Sequence, residues 1–139
     1  MRDLTAAIGS TTGVDEAWRR LRPMLYQAGV QRVAFVGVAP ATGNALLSQA
    51  LRRGLECLVV DGLRHHTPRR ARDVEGWADL VVICVSGPIA HRVSGLYQSF
   101  RPNGRVARVR ARGAEGITRE LERWLSQRPG SSSYLAIAA

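Results

Sequence analysis

One stretch decides the fold: Val33-Ala34-Phe35-Val36-Gly37-Val38-Ala39-Pro40-Ala41-Thr42-Gly43-Asn44-Ala45. Its first four residues are apolar without polar alternation, as in a strand buried on both faces. Gly37 ends the strand. A helix follows from about Thr42 to Arg53 and stops at Gly54. Strand, glycine turn and helix in this order make half of a parallel α/β unit.

Working outward, the same alternation recurs. Upstream, Asp15 starts a helix running to about Gln27, with Trp18, Leu21 and Leu25 on one face. Pro23 lies inside that pattern and is expected to bend or split it. Downstream, Cys57 to Val60 is a second strand, followed by Asp61-Gly62. Residues 63–72 read as a basic loop holding Arg64, His65, His66, Arg69, Arg70 and Arg72, with a short helical turn after it.

Leu80 to Val85 is the most apolar strand, broken by Ser86-Gly87-Pro88. A helix from about Pro88 to Phe100 starts on a proline, which suits a first helical position. Asn103-Gly104 turns the chain into a fourth strand, Val106 to Arg110. A last helix, about Ala114 to Ser126, carries Ile117, Leu121, Trp124 and Leu125 on one stripe.

These elements predict an α/β fold: a small Rossmann-like three-layer sandwich on a four-stranded parallel sheet of order 2-1-3-4. The first and third strands should be central. In the fourth, Arg108, Arg110 and Arg112 share one face and Ala107, Val109 and Ala111 the other. Three arginines cannot be buried together without partners, so this strand should be an edge. Residues 14–127 form the expected domain, between a flexible N-terminus (1–13) and a flexible C-terminal tail (128–139). The tail ends Leu135-Ala136-Ile137-Ala138-Ala139, which resembles bacterial degradation tags.

The chain has 139 residues, enough for one cored domain, and 45% apolar against 22% charged residues argues against disorder. No run of 18 uncharged apolar residues occurs, so no membrane partner is expected. The first residues lack the basic-then-apolar pattern of a secretory signal. Cys57 and Cys84 sit in apolar runs at no metal or redox spacing, as buried thiols of a reducing cytoplasm would.

Net charge is +9, and all twenty basic residues are arginine. Without lysine there is no Schiff-base chemistry and no phosphate-loop lysine. Arginine binds phosphate and carboxylate bidentately, which favours an anionic partner, nucleic acid or an acidic protein. A GC-rich genome writes the same bias. The densest basic cluster is Arg101, Arg105, Arg108, Arg110 and Arg112. Together with Arg64, Arg69 and Arg70 it is the candidate nucleic-acid or anion face.

Ligands of open parallel sheets bind beyond the carboxyl ends of the strands, where strand order reverses. Here that crevice lies between the loops Gly37–Gly43 and Ser86–Pro88. The candidate ligand-binding residues are Gly37, Thr42, Gly43, Asn44, Asp61, Ser86, Gly87 and His91. Asp61 stands where a ribose hydroxyl could be bound, and His91 in the first turn of the following helix. The glycines fit neither the nucleotide-hydrolysing loop nor the dinucleotide fingerprint: Asn44 and Ala45 stand where lysine and hydroxyl are needed. No serine, cysteine or paired-carboxylate catalytic set is present. The expectation is a non-catalytic domain, a homodimer with a regulatory or assembly role, that binds an anionic ligand or partner.

From Val33 to about Leu121 the pattern resembles the bacterial domain-of-unknown-function family 2325. The resemblance rests on the Val33–Gly37 strand, Asp61-Gly62, Ala78-Asp79-Leu80-Val81-Val82, the Cys84-Val85-Ser86 strand end and the arginine-rich fourth strand. In that family a histidine directly follows the serine; here Gly87 does, and His91 comes four residues later. The resemblance implies a dimer that holds haem, with His91 as axial ligand and arginines on the propionates. A looser similarity, to nucleotide-binding folds that have lost the phosphate-loop lysine, implies a nucleotide instead.

Overall fold

The computed structural model describes residues 2–60, 68–85 and 106–127. Its elements are α1 (Arg2–Gln27), β1 (Arg32–Val36), α2 (Pro40–Arg52), β2 (Glu56–Val60), α3 (Pro68–Trp77), β3 (Leu80–Cys84), β4 (Val106–Val109) and α4 (Ala114–Gln127). The strands form one parallel sheet in the expected order, β2-β1-β3-β4. Val33 of β1 pairs with Cys57 on one side and Leu80 on the other. The architecture is that of a small Rossmann-like α/β fold.

Two apolar layers hold the sheet. On one face Val33, Phe35, Leu80, Val82, Ala107 and Val109 meet Trp18, Leu21 and Leu25 of α1, Leu46 and Ala50 of α2, and Ile117, Leu121 and Leu125 of α4. On the other, Ala34, Val36, Val60, Val81 and Ile83 meet Ala71, Val74 and the adjoining Ala78 of the α3 segment. Every residue of β3 is buried, and only Arg32 of β1 is exposed. These two strands therefore needed continuous apolar runs. β4 alternates instead: Ala107 and Val109 are buried and Arg108 is exposed, as an edge strand requires.

Three features differ from the sequence expectation. α1 begins at Arg2 rather than near Asp15, and it runs through Pro23. Leu21 and Leu25, on either side of the proline in sequence, are both fully buried, while Pro23 itself is exposed. Packing of that apolar face holds the helix across the missing hydrogen bond. At Gly13 a Cβ would run into the Glu115 carboxylate of α4, so the glycine lets the two helices approach.

The third difference is α3. It carries Arg69, Arg70 and Arg72 on a ten-residue helix rather than in a loop. The reason is a buried stripe at Ala71, Val74, Glu75 and Ala78, and a proline at the helix start. Asp61, Arg64, His65, His66, the expected helix from Pro88 to Phe100, Arg101, Arg105 and the 128–139 tail lie outside the described residues. No described helix is long and apolar enough to cross a membrane.

Candidate functional site

β1 and β3 are adjacent, with β2 and β4 outside them, so strand order reverses between β1 and β3. Gly37 leaves the carboxyl end of β1 at φ 86°, a conformation open mainly to glycine. Its N–H donates to the Val60 carbonyl at 3.0 Å and extends the β1–β2 ladder. Val38 turns back into the core at 6% exposure. Ala39 caps α2 without a side-chain hydrogen bond, and Pro40 follows in the first turn. The Gly43 N–H donates to the Ala39 carbonyl at 2.8 Å. The amides of Gly37 and Gly43 are thus committed to the protein.

The first-turn amides of α2 that lack an acceptor within the helix are those of Ala41 and Thr42. Asn44 is exposed beside them. Thr42 Oγ1 donates to the Arg112 carbonyl at 3.4 Å. Arg112 leads into α4, where the Ile117 N–H donates to the Gly113 carbonyl at 2.9 Å and closes that helix's first turn. The start of α2 and the start of α4 therefore meet at this end of the sheet, with Arg112 exposed between them. The sequence placed the second helix N-terminus at Ser86–Pro88; Ser86, Gly87 and His91 lie outside the described residues.

The arginine face divides. Arg108 pairs with Ile83 in register, so it stands on the α3 side of the sheet. Arg110 and Arg112 continue past the strand end. All three are exposed, and none is ion-paired among the described residues. Arg69 and Arg70 lie on the exposed side of α3, across the sheet from α2 and α4.

Carboxylates that sequence reasoning passed over organise both ends of the sheet. The Glu120 carboxylate accepts the N–H groups of Arg110 at 2.8 Å and Ala111 at 2.9 Å, and so closes the end of β4. Asp79 does the same at the opposite end, accepting from Gln31 and Arg32, both at 2.9 Å. Burial pushes the thiols of Cys57 and Cys84 up to about 12, with the Glu120 charge adding to the effect on Cys84. Both thiols are protonated at neutral pH and are not nucleophiles. Among the described residues no three histidine, cysteine or acidic side chains cluster as metal ligands would.

Neither a family model, nor a curated protein, nor a solved structure matches this chain.

Proposed function

We propose that this chain is a non-catalytic binding domain that takes an anionic ligand at the carboxyl edge of its sheet, as a homodimer with a regulatory or assembly role. The observation that carries the reading is the Thr42–Arg112 contact, 3.4 Å from Oγ1 to the carbonyl oxygen. It sets two helix N-termini side by side, with the exposed Arg112 at their junction. Helix N-termini supply free N–H groups and a partial positive charge, and arginine adds a bidentate donor. The α2 half of the site follows β1, one of the two strands at the sheet's switch point, where open α/β folds bind ligands. Buried Cys84 and partly buried Cys57, both protonated, suit a cytoplasmic location.

A thermal-shift panel of phosphate, sulfate and mononucleotides tests this. At least one anion should raise the midpoint of the native chain, and Arg112→Gln should lose most of that rise. No shift with any anion overturns the reading.

Support for the dimer comes from the two sheet edges. β4 is guarded by Arg108 and closed by Glu120, whereas β2 carries only partly buried Cys57, Leu58 and Val59 and no arginine. Leu51, 56% exposed, lies on the helix that covers β2. Unguarded edges invite pairing, and a chain of net charge +9 meets a copy of itself most readily where positive charge is lacking. Light scattering should give twice 15.2 kDa, and Leu58→Arg should halve it. A single-chain mass for the native protein at micromolar concentration overturns the dimer.

Nucleic-acid binding is the second reading, favoured by Arg108, Arg110 and Arg112, which are exposed and have no ion pair among the described residues. It requires affinity that falls steeply with salt. Haem stays with the family resemblance alone, because His91 lies outside the described residues.

A further inference from the structure

We infer that the chain has a second phosphate-binding surface, between α1 and the C-terminal end of α2, fitted to the phosphodiester backbone of single-stranded nucleic acid. It is independent of the carboxyl-edge site and uses none of its residues.

Asp15, Arg19, Arg22 and Tyr26 recur at spacings of four, three and four, so they share one stripe of α1. The end of α2 brings Arg52 and Arg53 to that stripe. Asp15 Oδ1 accepts from Arg53 Nη2 at 2.9 Å and Arg52 Nη2 at 3.3 Å, and Asp15 Oδ2 lies 3.2 Å from Arg19 Nη2. Arg22 Nε donates to the Arg53 carbonyl at 3.1 Å. Three guanidiniums, those of Arg19, Arg52 and Arg53, are thus gathered around one carboxylate, with Arg22 tied to the Arg53 carbonyl, and no other described carboxylate is ion-paired to them.

The arrangement separates two roles. Arg53 is largely buried, with its side chain 15% exposed, and also donates to Gln49 Oε1 at 2.6 Å, so it is a tie between helices. Arg19 and Arg52 are 71% and 56% exposed and can turn outward to a ligand. Arg22 has an Nη1 that is buried without a hydrogen-bond partner. A buried donor without an acceptor is costly, and the local charge surplus adds repulsion. A phosphate oxygen held by the exposed Arg19 and Arg52 offsets that repulsion.

Tyr26 supplies an aromatic partner, which the β4 arginines lack among the described residues. It is 68% exposed, and the Arg22 guanidinium lies over its ring, 5.8 Å from the centroid. An exposed aromatic face beside phosphate-directed arginines is the combination that stacks a base while holding the strand's backbone. A duplex would present no free base to the ring, so the surface fits a single strand.

The test is fluorescence anisotropy of a labelled oligo-dT with the full chain, over a salt series. Arg19→Gln with Arg52→Gln removes the two exposed guanidiniums and keeps the Asp15–Arg53 tie; circular dichroism and an unchanged thermal midpoint check the fold. This variant should lower the salt slope by about 1.4, two contacts at roughly 0.7 each. Tyr26→Ala should weaken oligo-dT at least roughly fivefold but leave an abasic strand unchanged. Wild-type affinity in the arginine double variant overturns the proposal, as does no binding at low salt. So does a loss confined to the Arg108→Gln, Arg110→Gln, Arg112→Gln triple variant, which would move nucleic acid to the β4 edge. Displacement by millimolar inorganic phosphate, with Tyr26→Ala silent, assigns the surface to free phosphate and overturns the single-strand assignment.

Discussion

Gly43 of α2 packs against Val59 of β2 so closely that a Cβ on the glycine would come within 2.7 Å of Val59 Cγ1 and 3.1 Å of Val38 Cγ2. The glycine that looked like part of a ligand loop is therefore what lets the helix lie down on the sheet. Its role bears on the candidate site indirectly, because it sets where the first turn of α2 points.

Gly43→Ala should destabilise the fold by about 1–3 kcal/mol, the usual cost of overpacking, despite the better helix propensity of alanine. Urea denaturation measures it. Adding Val59→Ala should recover part of the loss, since it removes the atom that the new methyl meets. Equal stability of Gly43→Ala and wild type would mean that α2 can shift freely.

Glu120→Ala should cost about 1.5–3 kcal/mol, because two backbone N–H groups lose a charged acceptor. Amide hydrogen exchange should rise at Arg110 and Ala111 specifically. Unchanged exchange there would show that the carboxylate does not close the strand end.

Asp15 gives the fold a pH dependence at the acid end. The hydrogen bond from Arg53, with the charges of Arg53, Arg19 and Arg52, holds its carboxyl below the ordinary 3.8 against the opposing effect of burial. A carboxyl whose folded value is lowered stabilises the protein above its unfolded value and stops doing so as pH falls through the folded one. Asp15→Asn should therefore be less stable than wild type at pH 7, and the gap should close as pH drops below the ordinary carboxylate range. Midpoints of urea denaturation for both proteins across pH 2–7 check this. A gap independent of pH would assign the loss to packing.

Cys57 and Cys84, both pushed up to about 12, should react slowly with a disulfide reagent at pH 8 in the native state and fast once unfolded. Timed thiol titration with and without denaturant tests this. A fast native reaction of either thiol would contradict its raised value.

Strand order and the identity of the central strands were legible in the residues. Val33–Val36 and Leu80–Cys84 carry no polar side chain, and only a strand covered on both faces tolerates that. The edge position of β4 was legible too, because Arg108 and Arg110 alternate with Ala107 and Val109. Period and composition are local properties, and burial on one or two faces is what they record.

What the tertiary structure decided is of a different kind. Arg20 pairs with Glu122 across 102 residues, Thr42 meets Arg112 across 70, and Arg53 meets Asp15 across 38. No spacing rule connects such residues. α1 continues through Pro23 because its apolar face is packed against other helices, although helix propensity alone would break it there. Local chemistry chose the elements and their faces, while close packing of distant side chains chose which helix ends meet, which arginines are paired and which are left to a ligand.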